Sequence, residues 1–475
     1  MTACGAAQAG TAPAGAVRFG RAPGAWPLLG HLPHLYARPL AFLGGLAAHG
    51  DLVEVRIGGR RAYILCRPDL ARQMLADERT FDRVGPVFER IRAAMGNGLA
   101  TCVHADHVRQ RPMLQPAFRQ ERVRAYAPLM CQEIAGALEG WTDGQVVDVV
   151  DEMFSLTTAV AVRTLFSRGL DAESAAALGE SLDVFLRGSY TRALFPYVEK
   201  LPLPANRRYA RALRHWESEV SRIVAERRRA GTHDGTHDGT HDGTHDGTHD
   251  GDDLLSALLA ARDEQGGALT EQELHDQVAV LVLAGAETTS AVLTWSLHLL
   301  AADPEVRAAL DAEVDEVLAG RVASFEDLPR LEHTARVVRE TLRLLPPAWV
   351  LPRTAVRDTE LGGRRIPAGS MVVYSPYVVH RRADLHADPD RFLPDRWRRG
   401  ADGGTGMPRS SFLAFGSGPT RCVGEGFGLT EATLALASVA GRWDLVPVAG
   451  RVRTAPRSVL APRALPMRLL KRPSP

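Results

Sequence analysis

Two stretches of the sequence carry side chains able to do chemistry. Residues 412–429 read FLAFGSGPTRCVGEGFGL, a lone cysteine in a run of glycines ahead of a helical pattern. Gly416, Gly418, Gly424 and Gly426 permit close backbone approach and unusual dihedrals. Cys422 falls just before a predicted helix N-terminus, where unpaired N–H groups favour a thiolate. A thiolate is a soft, anionic ligand suited to iron; a buried cysteine in a glycine-rich turn fits the same residues. The second stretch is AGAETTS, residues 284–290, inside the apolar run 278–302. Glu287 and Thr288 are costly to bury there unless they find partners. The Thr288 hydroxyl can bond back to the Ala284 carbonyl, or hold a water that opens the helix ladder. Gly285 leaves space for a ligand against the backbone; a polar stripe on an amphipathic helix is the plainer reading.

The spacing Phe-x-x-Gly-x-x-x-Cys-x-Gly over residues 415–424 resembles the cytochrome P-450 family of haem-thiolate monooxygenases. The resemblance implies that Cys422 is the proximal ligand of the iron of haem b, where a thiolate pushes electron density toward O–O cleavage. It also implies that Glu287 and Thr288 form the acid–alcohol pair that relays protons to dioxygen. One departure stands out. Two residues before the cysteine, where the family has Arg or His against a haem propionate, this chain has Thr420, a hydrogen-bonding but uncharged side chain. By the same resemblance, His107 and Arg111 in HADHVRQRPMLQPAF and Arg353 in WVLPRTA touch the propionates and carry more of their charge.

Two further motifs are weak alone and gain meaning from the resemblance. Glu340 and Arg343 of ETLR share a helix face, the spacing of a common surface ion pair worth little. In the family such a pair forms a buried network with a later arginine, here Arg391 of PDRF, and maintains the fold. Arg109, Arg119, Arg122 and Arg124 make either a solvated basic face or a docking patch for an acidic ferredoxin.

The elements that must position these residues follow from pattern and punctuation. Residues 1–20 are small and polar, with no basic start and apolar core of a secretory signal, and read as a disordered tail. Residues 22–34 read as an extended entry segment, and 51–66 as a hairpin around Gly58-Gly59. Helical patterns dominate 68–230, 252–264, 272–302, the stretch after Asp303-Pro304, 333–345 and 424–441; 353–376 reads as a small sheet. Residues 231–250 are five copies of Gly-Thr-His-Asp, a period foreign to the helix and without apolar side chains, and read as a flexible loop. Glu287 to Ser290 interrupt the longest apolar run, which therefore reads as a buried core helix and leaves no transmembrane anchor.

Composition narrows the function. The 475 residues carry 57 Lys+Arg against 56 Asp+Glu, a net charge of +1 that argues against nucleic acid as a partner. Five scattered cysteines exclude a disulfide framework or a zinc ribbon and fit a reducing cytoplasm. The fold expected is mainly α with a minor β part: one large helical domain, residues 21–475, around a buried haem. The resemblance spans about residues 22–470 and implies insertion of one oxygen atom of O2 into a lipophilic molecule. Electrons come from NAD(P)H through a separate ferredoxin and ferredoxin reductase, and the chain is expected to act as a monomer. A terpenoid hydrocarbon is preferred over a fatty acid or polyketide; a haem-binding sensor or carrier is the non-enzymatic alternative. The pocket is expected near 87–99, 185–197, 280–288, 348–351 and 459–460, with Arg90, Arg92 and Arg187 as possible carboxylate partners.

Overall fold

The computed structural model describes residues 16–166, 177–181, 184, 201–233, 253–398, 409–448, 450, 452–456 and 459–473. The chain opens with β1 (Phe19–Arg21), α1 (Leu32–Ala37), α2 (Pro39–Gly45), β2 (Leu52–Ile57), β3 (Arg60–Leu65), α3 (Pro68–Ala76), β4 (Phe81–Asp82), α4 (Pro86–Met95) and α5 (His104–Leu114). It continues through α6 (Gln120–Glu139), β5 (Val146–Asp148), α7 (Val149–Leu165), α8 (Pro204–His233), α9 (Leu254–Ala260), α10 (Glu271–Ala302), α11 (Pro304–Leu318) and α12 (Glu332–Leu344). Then come β6 (Leu351–Ala355), β7 (Thr359–Leu361), β8 (Arg364–Ile366), β9 (Met371–Tyr374), α13 (Pro376–Val379) and α14 (Glu425–Arg442). Strands β10 (Trp443–Pro447), β11 (Thr454–Pro456), β12 (Leu460–Pro462) and β13 (Pro466–Lys471) close the chain.

The architecture is mainly α with a minor β part. Helix α10 is the axis: Thr270 and Glu273 form a reciprocal capping box at its start, and α6, α7, α12 and α14 surround it in one apolar core. It is also the one described helix long and apolar enough to cross a membrane, and 72% of its most apolar window is buried inside the protein. The larger sheet runs β1-β2-β3-β9-β6-β4, with β2 and β3 antiparallel around Gly58-Gly59 as the hairpin reading predicts. The antiparallel pairing of β4 with β6, Phe81 opposite Ala355 and Asp82 opposite Thr354, joins residues some 270 positions apart.

Four expectations need correcting. The N-terminal boundary at residue 20 is too late, because Phe19 and Gly20 already pair with Leu52 and Val53. Residues 22–34 are not extended: Trp26 and Gly30 exchange two backbone hydrogen bonds of 2.8 and 2.9 Å, and α1 begins at Leu32. Helix α8 continues through Gly231, Thr232 and His233 into the first Gly-Thr-His-Asp copy, propagating from a strongly helical run; the remaining copies lie outside the described residues, as do 1–15 and 185–197.

The fourth correction concerns the arginine network. Glu340 and Arg343 are fully buried, as the resemblance implies, but the later arginine is not the expected one. Arg343 spends all five donors: two on Glu340 and one each on the carbonyls of His380, Pro389 and Arg391. The side-chain partner from the later segment is Arg396, whose Nε donates to Glu340 at 3.1 Å; the Arg391 side chain is exposed. The Trp397 indole also donates to Glu340, at 3.0 Å, and its ring meets Phe412 edge-on at 4.9 Å. His380 extends the network. Its Nδ1 lies 3.1 Å from the Arg343 carbonyl, and its Nε2 accepts the Leu413 amide at 2.9 Å. Burial pushes the imidazole down to about 3, so the ring is neutral with the proton on Nδ1. Helix α12 thereby holds the start of the 412–422 segment from two sides.

Candidate active site

Cys422 is set by that segment. Its amide donates to the Phe415 carbonyl at 2.8 Å, closing the loop on itself. Gly416 (φ +72°) and Gly418 (φ +63°) occupy the left-handed region and explain two of the glycines. Among protein atoms a Cβ at Gly424 would meet only the Cys422 sulfur and Phe118, at 3.9 and 4.0 Å, and one at Gly426 would meet nothing within 4 Å. Gly424 caps α14, and its amide on the Cys422 sulfur favours the thiolate, as expected from the helix start. Burial acts more strongly in the opposite direction and leaves the thiol raised overall. The sulfur opens onto a cavity of about 490 Å³.

Helix α10 supplies the facing residues. The Thr288 hydroxyl donates to the Ala284 carbonyl at 2.6 Å, the back-bond expected from the sequence. From α7, the Thr157 hydroxyl donates to the Ala286 carbonyl at 2.8 Å. Two carbonyls of one helix turn thus accept hydroxyls where the ladder passes the cavity. Ala284, Gly285, Thr288, Thr289 and Val292 line it; Glu287 is half-buried and outside the lining. Phe88, Ile91, Leu99, Val280, Leu281 and Val350 make the rest of the surroundings largely apolar. Met95 and Leu283, expected here, line a separate cavity with Trp216, while the Leu460 carbonyl is taken by the Trp295 indole. Arg92 donates to the Arg83 and Thr101 carbonyls, so its guanidinium faces backbone rather than a ligand.

The residues expected at haem propionates do converge on the cavity: His107, Arg111, Arg353 and Thr420 all line it. The charge of His107 differs from expectation. His107 is buried with Nδ1 3.0 Å from Glu78 Oε2, and desolvation followed by the nearby arginines pushes it down to about 3; the ring is neutral, not cationic. Arg353 is 6% exposed, and its one side-chain hydrogen bond reaches the neighbouring Pro352 carbonyl. Burial, with Arg83 alongside, pushes it down to about 10. Thr420 Oγ1 donates weakly to the Ser417 carbonyl at 3.4 Å. Arg421 is unavailable, being clamped by Glu425 at 2.6 and 2.9 Å.

Sequence reasoning missed Arg83. It is 7% exposed, lines the cavity, and has one long side-chain bond of 3.5 Å to the Cys102 carbonyl. Among the described residues, neither Arg83, Arg111 nor Arg353 has a carboxylate within ion-pair distance. No local signal marks Arg83; it directly follows β4, whose pairing with β6 brings it beside Arg353. Tyr374 and Glu431 were missed too. Tyr374 is buried at the cavity wall and pushed up to about 12. Glu431 on α14 is 1% exposed, packed near Thr289, and burial raises its carboxyl to about 8. In the basic patch, Arg109 is committed to Asp263 and Glu273, and Arg124 to Glu326.

The Cytochrome P450 family model matches residues 21–463. The chain is 44% identical to cyclooctatin synthase of Streptomyces melanosporofaciens, covering 95% of each chain. It is 43% identical to cyclooctat-9-en-7-ol 5-monooxygenase of the same organism, over 91% of this chain and 90% of the relative. It is 40% identical to pentalenene oxygenase of Streptomyces avermitilis, covering 95% of this chain and 97% of that one. Among solved structures, the cytochrome P450DA heme domain superposes with a TM-score of 0.82 at 27% identity, covering 97% of this chain and 99% of that one.

Proposed function

The chain belongs to the cytochrome P450 family, and from that premise we propose that it oxygenates a terpenoid hydrocarbon, with Cys422 as the iron ligand. It is a monooxygenase that uses haem b, O2 and electrons drawn from NAD(P)H through redox partners. Haem b, when bound, supplies oxygen activation, and the thiolate's electron donation favours O–O cleavage. The residues present fit that group. A sulfur opens onto an apolar cavity, and two buried arginines, Arg83 and Arg353, with the half-buried Arg111, line the same cavity without a carboxylate at ion-pair distance among the described residues, as two propionates require.

Arg83, Arg111 and Arg353 would carry the propionate charge, while neutral His107 and the Thr420 hydroxyl would act as hydrogen-bonding neighbours. Thr288 would hold and pass a proton at Oγ1, where its bond to the Ala284 carbonyl fixes the hydroxyl against the cavity. Glu287, next in sequence but outside the lining, would recharge that atom from beyond the cavity wall. The terpenoid reading rests on the apolar lining together with relatives named for pentalenene and cyclooctat-9-en-7-ol. An acidic ferredoxin served by its reductase would deliver the electrons at Arg119 and Arg122 of the monomeric chain in the cytoplasm.

The observation that carries the reading is Cys422 and Thr288 facing one apolar cavity. A ferrous–CO spectrum tests the ligand: wild type shows the red-shifted Soret band of a thiolate haem, and Cys422→Ala abolishes it. A spectral-shift screen of terpenes, fatty acids and macrolactones, followed by product analysis, tests the substrate class. Haem binding with no oxygenated product from any panel member would return the sensor reading.

A further inference from the structure

Residues 23–29, Pro-Gly-Ala-Trp-Pro-Leu-Leu, are seven consecutive exposed residues without one polar side chain. Trp26 is 56% exposed, Leu28 93% and Leu29 48%; Leu32 and Tyr36 on the following helix are 40% and 76% exposed. The segment is built to stay that way. Trp26 and Gly30 exchange backbone bonds, the Gly58 amide donates to the Leu29 carbonyl at 3.1 Å, and His34 Nε2 holds the Gly24 carbonyl at 2.8 Å. His31 ties its base to Ala22 and Arg56. Leu28 itself sits at φ +63°, a left-handed conformation that disfavours a branched apolar residue, and the strain presents its side chain to solvent. A monomer gains nothing from such a tip in water.

Charge identifies the partner. Between residues 16 and 61 the chain has six arginines, Arg18, Arg21, Arg38, Arg56, Arg60 and Arg61, against two acids, Asp51 and Glu54, both buried. Arg56 and Arg60 flank the β2–β3 tip that bonds to Leu29, and with Arg38 they are exposed and lack ion-pair partners among the described residues. Aromatic rings with polar tips, bare leucines and a basic rim are the composition of an interfacial anchor. Beneath the tip, Leu35, Phe42, Leu43 and Leu46 pack in one apolar cluster with Val350, which also lines the main cavity.

We propose that this tip is a lipid-docking wedge that seats the protein on an anionic bilayer surface, with Trp26, Leu28, Leu29 and Tyr36 entering the headgroup boundary and Arg38, Arg56 and Arg60 on the lipid phosphates. The inference stands on the tip alone and does not depend on the terpenoid reading.

Full-length, haem-loaded protein is sedimented with vesicles of phosphatidylcholine alone or mixed with phosphatidylglycerol. Wild type pellets with the anionic vesicles, less so as salt rises. Leu28→Ser with Leu29→Ser lowers partitioning about tenfold or more, and Arg56→Glu and Arg60→Glu lower it about fivefold each on anionic vesicles. Brominated lipid quenches a fluorescence component that is lost in Trp26→Phe. An unchanged ferrous–CO spectrum certifies that each variant is folded. Wild type remaining in the supernatant with both vesicle types overturns the proposal, as does a leucine variant that pellets like wild type. Vesicle-independent self-association that those leucine substitutions abolish would assign the tip to a second copy of the chain and equally overturn it.

Discussion

Arg343 and Arg353 lie ten residues apart and both are out of solvent, yet Arg343 uses every donor it has whereas Arg353 bonds once, to the carbonyl of its own neighbour. Around Arg343 the protein completes the network from within: a carboxylate, three carbonyls and a tryptophan indole on the shared Glu340. Around Arg353 it leaves a second buried arginine, Arg83, and a histidine kept neutral. A buried charge is tolerable only with partners. The first region therefore reads as structure complete in itself, the second as a site whose counter-charge arrives with a ligand. Residue type and burial alone do not separate the two; satisfaction does.

The largest effect should come from breaking the complete network. Glu340→Ala strands a fully buried guanidinium and should cost about 3–5 kcal/mol, read as a fall in the urea midpoint and loss of folded protein. The opposite outcome is expected at the incomplete cluster. Arg353→Met removes an unpaired buried cation, so the haem-free protein should be unchanged or stabilised by about 1–3 kcal/mol. Haem should meanwhile transfer faster to a competing apoprotein. If Arg353→Met destabilises the haem-free chain as Glu340→Ala does, the distinction fails.

A smaller, pH-dependent effect belongs to Glu431, whose folded carboxyl is raised from 4.5 to about 8. Between those values the folded state keeps a proton that the unfolded state has lost, so this group lowers stability progressively as pH rises through the window. Glu431→Gln should raise Tm at pH 8 and change it little at pH 4.5; a shift of equal size at both would assign the effect to packing. The smallest contrast sharpens the network itself. Arg391 contributes a backbone carbonyl, so Arg391→Ala should stay within about 0.5 kcal/mol of wild type. Arg396→Ala, which removes a donor from Glu340, should cost about 1–3 kcal/mol in the same denaturation series.

Much of the site was legible. The back-bond from Thr288 to Ala284 follows from helix geometry, since residues four apart share a face whatever the fold. The cysteine at a helix start and the β2–β3 hairpin are similarly local. Arg391 and Arg396 show where reading stopped. Both lie in one short arginine-rich segment, and only its path over α12 decides which guanidinium meets Glu340. His107 was counted among the propionate cations by resemblance, whereas desolvation and then three nearby arginines keep its ring neutral.

By itself, then, the sequence determined what is set by neighbours along the chain: where helices begin, which hydroxyl turns back on which carbonyl, and which cysteine stands in a glycine-rich loop. Tertiary structure decided what depends on distance through space. It brought Arg83 beside Arg353 across a strand pairing of some 270 residues, set no carboxylate within ion-pair distance of them among the described residues, and supplied one to Arg343. Backbone geometry acts over one or two turns, whereas the charge state of a buried group is set by every dipole and charge around it.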